Sequence, residues 1–408
     1  MKDRKRTYFI LVSFMLLSFV IKLILIFKYG NQLTLSSDDL NYLKSAVYLV
    51  KKNIFVFHNY NEPTVFVMPL YPLFLSVIIK IFGYGMAGIQ AIRVIQAVIS
   101  CVTILMVFLI AQKLFDKKVA LFSSFLVSFY FPSIVTSGYL LTETLFTALL
   151  YILLYLSLKF SDEPSYGNFA VLGVIWAGAV LCRPTIAPYP ALLFLYLLIH
   201  KRMKTGKLIK LGTVMSLVFI IIMSPWWVRN YMEYGEFIPL AASSGNPMLQ
   251  GTYVNYLQTP ENVVYYKLGE NAFETNKIEV ETAKKRIKEE FRKDFWGYLK
   301  WFTIGKTKFF WQSPFYWREY FNIDRSLVEI THFFLLAGFA GIILLVFKDF
   351  TKYMLPISLI LYFNVIHCIY MAFDRYAFPL IPLLSIFCGY FAISVIHSMK
   401  LKLRRYAA

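Results

Sequence analysis

The run TYFILVSFMLLSFVIKLILIFK, residues 7–28, decides the fold class of this chain. It follows the basic stretch MKDRKR, and from Tyr8 to Phe27 it offers the roughly 20 residues that an α-helix needs to cross a bilayer. A secretory signal has a shorter apolar region and a cleavage site with small residues, and no such site follows here. We therefore predict that this run is a retained first transmembrane helix.

The composition of the whole chain agrees with a membrane protein. Of its 408 residues, 58% are hydrophobic and 16% are charged, whereas soluble domains are about 25% charged. The formal net charge is +19, but the Lys and Arg residues gather at the chain ends and between apolar runs, as in the cytoplasmic loops of membrane proteins. The charge therefore does not indicate a nucleic-acid partner. The cysteines lie in apolar runs without a CxxC pair, so they indicate neither disulfides nor a thiolate metal site.

Further apolar runs predict an all-α polytopic protein with about ten transmembrane helices. The predicted spans are residues 7–28, 89–112, 119–137, 140–159, 168–183, 184–200, 209–228, 329–347, 353–371 and 376–397. Basic segments such as QKLFDKK and KRMKTGKLIK alternate with weakly charged turns, which places the basic segments and both termini in the cytoplasm. We find no internal repeat, and we expect a single domain over residues 1–408.

Two long segments then fall on the outer side of the membrane. Segment 1 covers residues 29–88, and segment 2 covers residues 229–328. Within segment 2, residues 277–302 carry apolar side chains at helical spacing among charges, which predicts an amphipathic helix along the membrane surface. A solvated surface helix without a catalytic role is the alternative. In the same segment, residues 243–256 (SSGNPMLQGTYVNY) are either a wall for sugar contacts or an ordinary connecting loop.

Segment 1 contains the stretch LSSDDLNY, in which Asp38 and Asp39 are adjacent. Acidic residues at the border of the membrane are costly and point to function. The alternative is a helix N-cap, in which Ser36 or Ser37 precedes two acidic residues of the first turn. Both interpretations hold together if one carboxylate supports the cap while the other faces a cleft.

A second acid, Glu143 in LTETLF, is expected on the same outer face. Two carboxylates that converge there would suit general-base catalysis or metal-assisted transfer. Alternatively, Thr142 or Glu143 only caps the helix that begins there.

Four arginines complete the predicted outer site: Arg93, Arg183, Arg229 and Arg375. The planar guanidinium matches the oxygens of a phosphate or pyrophosphate group. Each arginine could instead be an anchor that extends its charge to the membrane surface.

A metal site is a further hypothesis. His58 and Glu62 stand four residues apart, so they could share a helix face and bind a divalent ion. Two ligands at a common spacing do not identify which metal would bind. The chain has no glycine-rich phosphate loop, no GxSxG and no HExxH, which are the signatures of nucleotide hydrolysis, serine acyl transfer and zinc proteolysis.

Seven stretches follow one another in a recognisable order along the chain. They are SSDDLNYLKSA, MPLYPLFLSVIIKIFG, IRVIQAVISCVTILMVFLIAQKLF, LTETLF, GVIWAGAVLCRPT, SPWWVRNYMEYGEFIPL and DRYAFPLIPLLSIF. Together they resemble the membrane-embedded GT-C glycosyltransferases, and within these glycosyltransferase family 39 and its relatives, the protein O-mannosyltransferases and the bacterial 4-amino-4-deoxy-L-arabinose lipid A transferase.

The resemblance implies an enzyme that moves a sugar from a polyprenyl-phosphate donor to an acceptor at the outer face of the cytoplasmic membrane, with inversion. Asp38 matches the acid-base candidate of the family, and Glu143 matches its second acidic position. Arg375 matches a position that could face the lipid phosphate. The family often has Asp-Glu where this chain has Asp38 and Asp39, so the role of Asp39 as a possible second acid stays open. The arabinose transferase also has a metal site, whose ligands are not matched here.

The expected partners are thus the lipid-linked donor, membrane lipids and a lipid, glycan or protein acceptor. Two alternatives belong to other functional classes. A lipid-linked sugar flippase or transporter would usually show paired repeats or broken helices, which the sequence lacks. A non-catalytic protein of cell-envelope polysaccharide assembly would tolerate the loss of Asp38. The sequence leaves the sugar and the acceptor open.

Overall fold

Apolar helices dominate the architecture. A computed structural model describes residues 2–406, and over this range the chain is α-helical, with one isolated bridge between Phe57 and Asn59 and no strand. The predicted all-α class is confirmed. Six helical stretches in this range are long and apolar enough to cross a membrane: Arg4–Gln32, Met86–Leu114, Thr142–Phe160, Thr205–Tyr234, Arg325–Ile369 and Asp374–Lys400. The chain is therefore a multi-pass membrane protein.

The helices follow one another with short connections over most of the chain. The first are α1 (Lys2–Tyr29), α2 (Asp38–Lys52), α3 (Leu70–Phe82), α4 (Met86–Leu114), α5 (Lys117–Phe129), α6 (Phe131–Thr136) and α7 (Thr142–Phe160). The next are α8 (Tyr166–Cys182), α9 (Tyr189–Ile199), α10 (Thr205–Tyr234), α11 (Gly245–Gln250), α12 (Ala272–Lys293) and α13 (Phe295–Lys300). The last are α14 (Lys306–Trp311), α15 (Arg325–Leu336), α16 (Gly338–Ile369), α17 (Asp374–Ala377) and α18 (Ile381–Tyr406).

The predicted count of about ten spans is not confirmed, and prolines account for part of the difference. The predicted span 119–137 is divided into α5 and α6 at Pro132, and Pro184 separates α8 from α9. Proline lacks the N–H that continues a helix. The predicted spans 329–347 and 353–371 fall in the stretch of α15 and α16, where Asp349 interrupts the helix with φ −166° and ψ 79°.

Close helix packing builds the core. The largest hydrophobic cluster draws its buried side chains mainly from α4, α7, α8, α16 and α18, and includes Phe146, Tyr151 and Phe387. In α16, a Cβ on Gly341 would lie 2.3 Å from the carbonyl oxygen of Phe387. Small residues at such crossings let helix backbones approach in a membrane, where the hydrophobic effect does not drive them together.

Segments 1 and 2 stand at the same end of the helices as the predicted site. Segment 1 contains α2, an irregular stretch over residues 53–69, and α3. In segment 2, α12 ends at Lys293 and the chain restarts as α13, so the helix predicted over 277–302 is divided. The Asp294 carboxylate accepts a hydrogen bond from the Gly297 N–H at 2.9 Å and caps α13.

Candidate functional site

Four charged side chains from distant parts of the sequence meet in one cluster. Arg375 donates from Nη1 to Asp38 Oδ2 at 2.8 Å, and its Nε donates to Glu143 Oε1. Arg183 reaches the same Glu143 oxygen from Nη2 at 2.7 Å and donates from Nε to Thr142 Oγ1 at 2.7 Å. The structure thus brings together two predicted acids and two predicted arginines.

Helix ends place these four groups. Asp38 is the first residue of α2, and Glu143 lies in the first turn of α7. Arg183 directly follows α8, while Arg375 lies on the short α17. A helix N-terminus carries partial positive charge, which favours a carboxylate there. Asp38 and Glu143 therefore lie at helix N-termini, as predicted, and also belong to the charged cluster.

The two carboxylates of the cluster differ in access. The Glu143 side chain is fully buried, and both guanidinium groups compensate its charge. The Asp38 side chain is 34% exposed, so solvent or a substrate can reach it. A buried charge is tolerated only when it is paired and hydrogen-bonded, which explains why Glu143 has two arginine partners.

The Asp39 carboxylate binds the backbone at the start of α2. Asp39 is 3% exposed. Its carboxylate accepts hydrogen bonds from the N–H groups of Leu35 and Ser37, both at 2.9 Å, and from the Thr34 hydroxyl. Ser37 occupies the N-cap position, but the acceptor is Asp39, which reaches back as the acidic half of a capping box does. The helix start proposed at Ser36 or Ser37 is therefore found at Ser37, and the Asp39 carboxylate rather than a serine hydroxyl accepts the hydrogen bonds there.

The prediction that Arg93 binds phosphate conflicts with its surroundings. Arg93 is buried, and its guanidinium donates to the carbonyl oxygens of Gly138 at 3.0 Å, Gly30 at 2.7 Å and Leu33 at 2.6 Å. These hydrogen bonds join the end of α1 to the chain before α7. Arg93 is a structural cross-link beneath the cluster, because its donors are committed to backbone carbonyls.

Arg229 also lies outside the cluster. Its Nη1 donates to the Thr64 carbonyl at 2.7 Å, and its guanidinium lies 5.6 Å from the Phe55 ring and 5.4 Å from the Trp226 ring. The contacts of Arg229 therefore fasten segment 1 to α10 and do not bring it to the cluster of Asp38, Glu143, Arg183 and Arg375.

The shared helix face expected for the His58 and Glu62 metal site does not form. Both residues fall in the irregular stretch, so they share no helix face. His58 has a φ of +59° and its ring packs against Phe57 and Phe66, where partial burial lowers its pKa. Among the residues that the structure describes, no group of three or more His, Cys, Asp and Glu side chains could hold a metal ion.

Sequence reasoning missed the side chains that hold the turn before Arg375. Trp317 Nε1 donates to Asp374 Oδ2 at 3.0 Å, and Lys306, which is 0% exposed, donates to the carbonyls of Cys368 and Tyr370. Lys306 stands in the sequence among exposed lysines such as Lys308, and the local pattern does not set it apart.

Residues 62–228 match the family model described as dolichyl-phosphate-mannose-protein mannosyltransferase. No curated protein matches the sequence.

Solved structures give a longer match. ArnT from Cupriavidus metallidurans bound to undecaprenyl phosphate superposes with a TM-score of 0.54 at 15% identity, over 93% of this chain and 59% of that one. The Archaeoglobus fulgidus oligosaccharyltransferase AglB, in complex with an inhibitory peptide and a dolichol-phosphate, gives 0.55 at 14% identity, over 97% and 51%. The same archaeal enzyme tethered with an acceptor peptide gives 0.57 at 14%, over 96% and 50%.

At 14–15% sequence identity, these superpositions show that the fold is shared. The chain shares the fold of ArnT and AglB, and residues 62–228 match the mannosyltransferase family model, so the resemblance that the seven sequence stretches indicated is confirmed. It spans about half to three fifths of the length of the solved proteins that it matches.

Proposed function

We propose that the protein is a glycosyltransferase that moves a sugar from a polyprenyl-phosphate donor to an acceptor hydroxyl at the outer face of the cytoplasmic membrane. One observation carries this proposal: Arg375 lies between the accessible Asp38 and the buried Glu143, with Arg183 on the same Glu143 oxygen. The cluster joins an accessible carboxylate to two arginines at the ends of membrane helices. The fold and the family-model match support the same class of reaction.

The arginines suit the donor phosphate. A polyprenyl chain stays in the bilayer and keeps its phosphate at the interface, where Arg183 and Arg375 are 15% and 13% exposed. Guanidinium groups form charge-assisted hydrogen bonds to phosphate oxygens. As the bond from the anomeric carbon to the phosphate oxygen breaks, the electron pair stays on that oxygen, and the arginine charge stabilises it.

Asp38 suits the acceptor. Its carboxylate, ion-paired with Arg375, accepts the proton of the acceptor hydroxyl as the new bond from that oxygen to the anomeric carbon forms. Attack from the face opposite the phosphate inverts the anomeric carbon in a single displacement. The proton goes to Asp38, and the lipid phosphate leaves as an anion, so no nucleotide takes part.

Glu143 has a different role in this proposal from the catalytic one expected from sequence. Its carboxylate is fully buried and bound by both guanidinium groups, so it orients Arg183 and Arg375 and takes no proton from the acceptor. Asp39 keeps α2 in place through its backbone hydrogen bonds.

Purified protein in lipid nanodiscs tests the proposal with a panel of undecaprenyl-phosphate-linked hexoses and pentoses. The wild type should release undecaprenyl phosphate from at least one donor and glycosylate an added membrane extract. The Asp38→Asn variant should bind undecaprenyl phosphate and lose about 100-fold or more in transfer rate, the usual scale of general-base catalysis.

Three outcomes would contradict the proposal. Transfer at the wild-type rate by Asp38→Asn would remove Asp38 from the mechanism. Movement of intact donor across a vesicle membrane without sugar transfer would favour a flippase. A wild type that neither binds undecaprenyl phosphate nor transfers any sugar would favour a non-catalytic assembly protein.

A further inference from the structure

Residues 370–373, here called the strap, connect α16 to α17 and lead directly into Asp374 and Arg375. Lys306 of segment 2 holds the start of this stretch. Its Nζ donates to the carbonyl oxygens of Cys368 and Tyr370, both at 2.8 Å. These two carbonyls stand at the C-terminal end of α16, where helix carbonyls lack partners within the helix.

Tyr256 holds the middle of the strap. Its hydroxyl accepts a hydrogen bond from the Ala372 N–H at 2.7 Å and donates to the Ala372 carbonyl at 3.2 Å. The Tyr256 ring lies 5.1 Å from the Phe373 ring. Asn255 and Tyr256 both adopt a positive φ, 54° and 59°. A non-glycine residue in this region is strained, so the surrounding contacts maintain the conformation.

Trp317 holds the residue after the strap. Its Nε1 donates to both Asp374 carboxylate oxygens, at 3.2 Å and 3.0 Å. Asp374 in turn accepts from the Arg375 N–H at 2.7 Å. Segment 2 therefore contacts the chain before Arg375 through Tyr256, Lys306 and Trp317.

The burial of Lys306 argues that its contacts are specific. The residue is 0% exposed, and its ammonium group lies 3.6 Å from the centroid of the Phe302 ring. Removing a lysine from water is costly unless hydrogen bonds and ring contacts replace the lost hydration. Lys308, two residues further on, is exposed and provides a matched control.

A close backbone approach supports the same contact. A Cβ on Gly251 would lie 2.0 Å from the Tyr370 carbonyl oxygen and 2.9 Å from Lys306 Nζ. The Gly251 carbonyl accepts a hydrogen bond from Trp301 Nε1 at 3.0 Å. Part of the stretch 243–256, for which sugar contacts were one hypothesis, therefore packs directly on the strap.

We propose that Lys306, Tyr256 and Trp317 are positioning residues that fix the strap and thereby hold Arg375 between Asp38 and Glu143. Through them, segment 2 controls how the donor phosphate is bound. The expected change in donor binding rests on the proposed transferase function, whereas the expected loosening of the strap does not.

Steady-state kinetics in nanodiscs test the first consequence with Lys306→Met and its control Lys308→Met. Since displacement of a binding group by about 1 Å can cost up to 100-fold, we expect the donor KM of Lys306→Met to rise about tenfold. The acceptor KM should stay within about twofold, and Lys308→Met should match the wild type. A lower kcat per folded molecule with unchanged donor KM would place the effect on the leaving phosphate in the transition state, and unchanged kcat and donor KM would overturn the positioning role.

Hydrogen exchange tests the second consequence without any activity. Opening of the contacts should raise the exchange rate of residues 368–377 about tenfold in Lys306→Met, which is the increase expected from losing roughly 1.4 kcal/mol of local stability. Exchange in α7 and α10 should not change. Unchanged exchange over 368–377 would overturn the proposal.

Milder variants keep the proposal testable if Lys306→Met does not fold. Tyr256→Phe removes only the hydroxyl that binds Ala372, and Tyr265→Phe, on a side chain 87% exposed, is its control. Tyr256→Phe should raise both the exchange over 368–377 and the donor KM, and Tyr265→Phe should change neither. If the wild type transfers no sugar, the proposed function fails, and the exchange data alone decide on the strap.

Discussion

Arg375 is the residue on which the site depends, because it contacts both carboxylates of the cluster. We expect Arg375→Met to weaken the binding of undecaprenyl phosphate by about 100-fold, since one charged hydrogen-bond partner of a buried ion contributes several kcal/mol. Arg375→Lys should recover only part of the affinity, because an ammonium is a point charge that cannot bridge Asp38 and Glu143 as a planar guanidinium does.

Binding is measured by titrating undecaprenyl phosphate into protein in nanodiscs. Arg325→Met is the control, since Arg325 is exposed and forms its ion pair with Glu329, one helix turn away. Equal affinity of the wild type and Arg375→Met would place the phosphate elsewhere.

The two adjacent aspartates should separate activity from stability. Asp39→Ala removes the acceptor of two backbone N–H groups in a nearly buried position. Losing such an acceptor costs about 1–3 kcal/mol, so thermal unfolding in detergent should occur at a lower temperature. Asp38→Asn should unfold close to the wild-type temperature and lose transfer. The reverse assignment, a stable Asp39→Ala and an unstable Asp38→Asn, would contradict the division of roles described above.

At the scale of elements, the crossing of α16 and α18 depends on Gly341, which has no side chain. A Cβ on Gly341 would come within 2.3 Å of the Phe387 carbonyl, so Gly341→Ala must push the helices apart. Overpacking of this kind costs roughly 1–3 kcal/mol. Gly178→Ala in α8 is the matched control, because its Cβ would have no neighbour within 4 Å. Thermal unfolding of both variants in detergent checks the difference, and equal unfolding temperatures would mean that the two helices separate without cost.

Helix α14 begins with Lys306, and this lysine should make the free energy of unfolding depend on pH. Burial lowers the pKa of Lys306 from 10.5 to about 7. Between these values the unfolded chain binds more protons than the folded one, so this group makes the folded state more stable as the pH rises, by up to roughly 1 kcal/mol per pH unit. From pH 7 to pH 10, the free energy of unfolding of the wild type should therefore rise more steeply than that of Lys306→Met. Parallel curves would exclude a depressed pKa.

At the scale of the whole molecule, the sequence predicts the membrane class and the main members of the cluster. Helix length and residues at helix starts are local properties, which is why Asp38 and Glu143 could be identified. The four arginines look alike in sequence, yet the carbonyls that bind Arg93 lie 45 to 63 residues away along the chain. Only the fold decides which guanidinium is committed to backbone and which remains at the site. Lys306 was missed for the same reason.

The orientation of the whole molecule in the membrane is predicted by the uneven distribution of Lys and Arg among the segments that connect the helices. The positive-inside rule places segment 2 outside and the basic connection between α9 and α10 inside. In a background with the four native cysteines replaced, a cysteine at exposed Lys267 should react with a membrane-impermeant maleimide in intact cells. A cysteine at exposed Lys207 should react only after the cells are permeabilised. The opposite labelling would put the Asp38 cluster on the cytoplasmic side, where the donor phosphate and the acceptor would have to be sought instead.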